Sequence, residues 1–411
     1  MIRIKRVRFG AICSLLVIGW LALSLVASTT VSASSFGGGT TTDHVNGGSS
    51  KAKTPTSTPT STHTPVATAT PIPGVSFQGL GQMPGVVIQA GSCGTQAFSI
   101  SGNGNVIVGA GCVSSTNNEA FRWTAAGGYQ RLGDLGSGTS SADAASFDGS
   151  VVVGQSPPSG AIFGSFRWTA AQGMMAVPVG YPNAVTDDGT MVAGGNAWWK
   201  TSGQIGNFGG GSCTTPQAPL NMVDLSADGS VAAGSGKGGL DMFGQQATNA
   251  YRSTPAGNCQ DIDPVVNRNS DASGISADGS TIVGEAQDSQ GHYRAFRWTA
   301  STGMVDLGTL GGGNLLSNAT ATSHDGSVVV GYSLTTTSSA SDHAFVWTAK
   351  CGMQDLNTVL KSKIPNGWIL QSATDVSEDG TVITGWGISP PVPGSNFGQT
   401  EPWRAVLPVV C

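Results

Sequence analysis

Charge is scarce in this chain. Only 10% of its 411 residues are Asp, Glu, Lys or Arg, where an average soluble domain carries roughly 25%. Long solvated helices need charge and few glycines, and here 61 residues are glycine, so an α-rich fold is excluded. Basic charge is scarcer still: from residue 75 onward 13 Lys and Arg face 23 Asp and Glu, a net charge of -10. A nucleic-acid binder needs the opposite sign. Histidine numbers five, and from residue 75 onward only His292, His324 and His343 occur. Neither an HExxH helix nor a nucleophile-elbow pattern is present. Cysteines in CxxC or other zinc-ligand spacing are lacking as well. No cofactor or metal is therefore expected. The glycines have no period of three, which excludes collagen. What is present, 39% hydrophobic residues and ten tryptophans, is enough for a core.

The single long apolar run, from Gly10 to Ala27, follows Arg3, Lys5, Arg6 and Arg8. With Val31-Ser-Ala33 after it, residues 1–33 read as a signal peptide or as an uncleaved signal anchor. Either places the rest outside the cytoplasm, and an anchor is the chain's only expected membrane contact. Residues 34–74 are rich in Thr, Ser and Pro and read as a disordered linker or stalk. In an exported chain an even set of cysteines suggests disulfides. Setting Cys13 aside, six remain. Cys93 and Cys112 flank the first repeat hairpin and are expected to pair. Cys351 and Cys411 take equivalent places in the last two units and are the second candidate pair. Cys213 and Cys259 are left over.

From 75 to 411 one unit recurs seven times. Its most regular part is a hairpin, for example Ser146-Phe-Asp-Gly-Ser-Val-Val-Val-Gly154 and Ser276-Ala-Asp-Gly-Ser-Thr-Ile-Val-Gly284. Asp-Gly supplies the positive φ of a tight turn, and the Ser/Thr two residues earlier caps it. After a variable insert comes a second strand, as in Ser165-Phe-Arg-Trp-Thr169 and Ala295-Phe-Arg-Trp-Thr299. Then a turn ends in glycine, and a fourth strand follows. Four short strands in about 48 residues are the period of a propeller blade. The seventh unit stops at Cys411 without a fourth strand, and a stray strand stands before the first unit at 76–83. We therefore expect an all-β, seven-bladed β-propeller of four-stranded blades over 75–411, its ring closed by the N-terminal strand completing the last blade. A closed ring has no free sheet edge, and a monomer is expected.

The Ser-x-Asp-Gly-Ser-x-Val-Val-Gly hairpin followed by Ala-Phe-x-Trp-Thr resembles the HAF-repeat family of bacterial extracellular proteins. The naming tripeptide stands once, as His343-Ala-Phe345. This resemblance implies an extracellular, cell-surface or secreted repeat protein and carries over no functional residues. In this alignment, units three and four replace the tryptophan with Lys200 and Ser253.

The strand 1–2 and 3–4 turns are short and uniform and share one face of the ring. The strand 2–3 and 4–1 loops vary in length and share the other, which is where binding is expected. The turn carboxylates read as turn caps, since calcium wants six to eight oxygens and each turn offers one carboxylate. The arginines Arg122, Arg167, Arg252, Arg297 and Arg404 are expected to bridge acids between blades. In Trp198-Trp199 neighbouring rings face opposite ways, so one is a candidate binding surface. The functional reading is an exported, non-catalytic scaffold that binds protein or glycan through its long-loop face. The alternative is an extracellular propeller enzyme acting on carbohydrate through funnel acids, for which Asp143, Asp224 and Asp375 on first strands are the candidates.

Overall fold

The computed structural model describes residues 74–86, 94–208, 221–241, 245–263, 265, 268–337, 342–391 and 398–408. The expected signal segment at 1–33 and nearly all of the expected linker lie outside them. Among the described residues there is no helix long and apolar enough to cross a membrane.

Seven four-stranded antiparallel sheets form seven blades, six of them running in chain order from first strand to fourth. The first strands are Thr95–Ile100, Ser141–Ala145, Pro182–Val185, Asn221–Leu225, Ser270–Ile275, Ser317–Thr322 and Ile369–Val376. Each touches the first strand of the next blade, the seventh touching the first, so together they wall a central channel. Blade 7 is completed by Ser76–Gly79, which pairs with Gln399–Val406 in the register Phe77 with Ala405 and Gly79 with Trp403. The chain is thus an all-β, seven-bladed propeller closed by its N-terminal strand.

The repeat's residue types follow from this packing. Phe121, Phe166, Phe296 and Phe345 are fully buried, and each sits beside a tryptophan two residues on. Both rings face the preceding blade: Phe166 and Trp168 pack on Val106 and Val108, and Phe345 and Trp347 pack on Val283 and Leu307. Each such side chain stabilises the blade contact by roughly 1.5–3 kcal/mol. All seven first strands slip register by one residue at the same place, for example between Ala97 and Ser99 and between Ala272 and Gly274. This bulge explains the glycine ending the hairpin. A Cβ at Gly284 would lie 2.0 Å from the Asp271 carbonyl oxygen, and one at Gly109 2.0 Å from that of Gln96, so only glycine fits.

The turns are built alike. In blade 2 the Ser146 hydroxyl donates to Asp148 Oδ1 at 3.1 Å and accepts from the Val151 amide at 3.1 Å, while Asp148 Oδ1 also accepts from the Ser150 amide at 2.8 Å. The Ser150 bonds hold Asp148 below the usual carboxylate range. The residues between Ser/Thr and Gly do something further. Phe147 N donates to Asp187 O, Asp187 N to Ala227 O, Ala227 N to Ala277 O, Asp278 N to His324 O, His324 N to Glu378 O, Glu378 N to Gly102 O, and Asn103 N to Phe147 O. Seven backbone hydrogen bonds of 2.8–3.2 Å therefore form a closed hoop around the short-turn end of the channel, one across each blade boundary.

Register corrects one alignment. Trp199 pairs with Val192 as Trp168 pairs with Val152, and Lys200 pairs with Met191 as Thr169 pairs with Val151. Unit three therefore keeps its tryptophan and loses the phenylalanine to Ala197, with Trp198 at the arginine position. In unit four Ser253 does replace the tryptophan, pairing with Ala232.

Candidate functional site

The arginines also correct an expectation. Four of the five, all but Arg252, reach across blade boundaries, but to glycine carbonyls rather than to acids. Nε of Arg122 donates to Gly149 O at 3.1 Å, of Arg167 to Gly189 O at 3.2 Å and of Arg297 to Gly326 O at 2.8 Å. Arg404 Nη2 reaches Gly104 O at 3.4 Å. Each latches its strand onto the Asp-Gly turn of the next blade, or onto Asn103-Gly104 in the case of Arg404. Burial pulls these guanidinium groups below their usual range, and the turn acids Asp148 (for Arg122) and Asp325 (for Arg297) partly offset it.

The three funnel acids lie on the channel wall. Asp224 and Asp375 occupy the same position in blades 4 and 7. Asp224 Oδ2 accepts the Ile275 amide at 3.0 Å, and Asp375 Oδ2 accepts the Ile100 amide at 2.9 Å and the Ser99 hydroxyl at 2.8 Å. Asp143 sits on its strand's bulge and accepts from Ser141 at 3.0 Å and Gln155 at 3.2 Å. Burial pushes Asp143 and Asp224 up to about 7 and Asp375 to about 6, and the Asp375 charge adds to the rise at Asp224. Asp224 and Asp375 are thus tied into blade-to-blade bonds.

A separate group gathers at the hoop. His324 Nδ1 lies 2.9 Å from Glu378 Oε2. Asp187 is pushed well above the usual range by burial and by the Glu378 charge, eased by His324. These side chains belong to blades 3, 6 and 7. The other histidines pair locally, His343 with Asp355 at 2.8 Å and His292 with Asp288 at 3.3 Å.

The long-loop face holds what the repeat pattern hides. Ile162 is 82% exposed, Phe163 64% and Tyr181 46%. Phe163 belongs to the strand 2–3 insert of blade 2, and Tyr181 to the connection into blade 3. Their rings meet edge to face, 5.4 Å between centroids. Tyr181 has φ +49°, the sole positive φ of a non-glycine among the described residues. Its backbone is held against Gly194, where a Cβ would lie 2.2 Å from the Tyr181 carbonyl oxygen. Such strain is stored where a fold fixes a side chain for use. Non-repeating inserts carry no periodic signal. The adjacent Ile162 and Phe163 in the strand 2–3 insert, outside the repeat pattern, were the clue available in the sequence.

Trp198 and Trp199 are both half-buried. Trp198 packs toward blade 4 beside Met191 and Tyr251, with its indole N–H buried and unpaired, and Trp199 packs on the blade 2–3 core with Val153 and Val179. Of the cysteines, Cys112 ends the second strand of blade 1 and Cys351 lies in the strand 3–4 turn of blade 6. Cys93 and Cys411, their expected partners, lie outside the described residues, as does Cys213.

No family model matches the chain, and no curated protein matches it. Among solved structures it is similar to the β-propeller domain of the trilobed protease from Pyrococcus furiosus, with 7% identity and a TM-score of 0.50 over 75% of this chain and 94% of that one. That domain is described as having an open velcro topology, whereas here the first strand pairs into the last blade. Similarity also extends to a prolyl endopeptidase (13% identity, TM-score 0.47, 76% of this chain and 50% of that one) and to TolB from Acinetobacter baumannii (11%, 0.38, 62% and 60%). At 7% identity the likeness to the first of these is one of fold.

Proposed function

We propose that the protein is an exported, non-catalytic scaffold, held outside the cytoplasm by its Thr/Pro linker or released there, whose long-loop face binds a glycan. The HAF-like repeat and the N-terminal segment support export. The observation that carries the binding reading is the exposed Phe163–Tyr181 pair with its strained tyrosine. Three side chains, each presenting on the order of 100–200 Å², match one or two sugar rings. A protein partner covers about 800 Å² per side. Asp224 and Asp375 support the enzymatic alternative poorly, because their bonds are spent on neighbouring blades. The test is a glycan array followed by titration with the soluble glycan. Wild type should bind saturably and release no product, and Phe163→Ala and Tyr181→Ala should abolish binding without lowering Tm. Binding that survives both substitutions, or turnover lost in Asp187→Asn or Glu378→Gln, overturns the reading.

A further inference from the structure

The arginine latch repeats at four blade boundaries, with Arg122, Arg167, Arg297 and Arg404 as donors. Blades 3, 4 and 6 lack it: Trp198 takes the arginine position in blade 3, Arg252 makes no such bond among the described residues of blade 4, and blade 6 has an aliphatic side chain there. The register of blade 6 sets Val346 against Val330, as Arg297 is set against Val283 and Arg167 against Val153. Val346 is fully buried and ends in the blade 6–7 core. Its side chain is too short to reach the turn of blade 7. At the same boundary lies a cavity of about 540 Å³ that Val346 itself does not line; Val328, Thr348, Asp379 and Gly380 bound it, the counterparts of groups around Arg297, with Trp347, Asp325, Leu407 and Pro408 also on its wall.

The polar groups there are those that hold arginine elsewhere. Gly380 is the counterpart of Gly149, Gly189, Gly326 and Gly104, whose carbonyls each take an arginine. Asp379 is the counterpart of Asp148, which lies close enough to Arg122 to stabilise its charge. The bonds to Asp379 from Ser377 and from Thr381 all fall on Oδ1. Among the described residues Oδ2 takes no bond. Two cations also border the space. Arg297 is committed to Gly326 O and to Thr281 Oγ1 at 3.2 Å, and Lys350 stands on the rim.

We propose that this cavity is a socket for a guanidinium group supplied from outside the repeat, which would donate to Gly380 O and pair with Asp379. The fold builds the same receptor at four other boundaries and fills it from within. A planar fork of N–H donors suits a carbonyl beside a carboxylate better than a point charge does, and the Trp347 ring adds an aromatic wall. The group can come from a free small molecule or from an arginine side chain of a polypeptide. This socket is on the short-turn face and is independent of the glycan reading.

The test is calorimetric titration of the full-length protein with agmatine, and with capped Gly-Arg-Gly, Gly-Lys-Gly and Gly-citrulline-Gly peptides. Wild type should bind one agmatine and one arginine peptide and reject citrulline. An arginine peptide that binds more tightly than agmatine assigns the socket to a polypeptide; equal affinities assign it to the small molecule. Val346→Arg should remove the site. Asp379→Asn, at an exposed position, should weaken agmatine by about tenfold with Tm unchanged, and so keeps the test informative if the buried substitution misfolds. Arg167→Val should open a second socket and raise the stoichiometry to two. Lys350→Ala should retain or tighten binding. No agmatine or arginine-peptide binding by wild type, or wild-type affinity in Asp379→Asn, would overturn the proposal.

Discussion

Asp224 in blade 4 and Asp375 in blade 7 accept equivalent backbone amides of the following blade, from Ile275 at 3.0 Å and from Ile100 at 2.9 Å. Each carboxyl stands on a channel-lining strand, and burial raises both. A raised carboxyl holds its proton in the folded state while the unfolded chain has released it. Between about pH 4 and the folded values near 6 to 7 the native state therefore binds more protons, and stability falls as pH rises. Asp143 works in the same direction. Turn acids such as Asp148 are lowered, and their contribution is lost only below about pH 4. Thermal unfolding should show maximal Tm near pH 4, falling to about pH 7 and levelling off above it. Asp224→Asn should raise Tm at pH 8 and flatten the profile. A Tm that climbs steadily from pH 5 to 8 would show that these carboxyls are ionised in the fold.

The hairpin glycines and the strand 3–4 turn glycines differ in what surrounds them. Gly284→Ala places a Cβ against the Asp271 carbonyl and should cost more than about 3 kcal/mol. Gly303 has φ +65° and nothing within 4 Å, so Gly303→Ala should cost only about 1 kcal/mol of backbone strain. Urea unfolding of the two variants checks the ranking.

Ring closure rests on few side chains. Phe77 meets Trp368 edge to face at 5.3 Å and lies 6.5 Å from Trp403. Phe77→Ala should lower stability by about 2 kcal/mol, less than the roughly 3–5 of a fully buried ring. Amide exchange should report the loss first in blade 7.

Among the described residues the Tyr181 hydroxyl takes no hydrogen bond, and the ring meets Phe163 edge to face. Tyr181→Gly should leave Tm unchanged or raise it by up to about 1 kcal/mol equivalent, while removing glycan binding. A clear fall in Tm would assign the tyrosine to stability.

The proposed pairs Cys93–Cys112 and Cys351–Cys411 predict two specific cross-linked peptides in a non-reducing digest, and a lower Tm after reduction. Recovery of either pair scrambled would exclude that connectivity.

The propeller was legible because one packing problem is solved seven times, and each solution leaves Ser, Asp-Gly, β-branched residues, Gly and Phe-x-Trp in fixed order. The slip at Trp198-Trp199 arose where two adjacent indoles satisfy the same pattern, and only strand register separates them. The arginine contacts were misassigned because a carbonyl acceptor has no sequence signature, whereas acids stand out. Ile162, Phe163 and Tyr181 were missed for the opposite reason: a unique surface residue leaves no echo in other units. Units three and six both lack the arginine, at Trp198 and Val346, and the difference between them required seeing what the other arginines hold and where a cavity is left.

The hoop of seven amide bonds treats every blade boundary alike, and the strand that joins the chain's two ends is one sheet contact among many. The place where the polypeptide is cut is therefore interchangeable with other cuts. Circular permutants of 74–411, opened at another strand 3–4 turn and joined between Cys411 and Gly74, should assemble the same ring. Exchange of whole units between positions should then be limited by the side chains at each boundary rather than by their order along the chain.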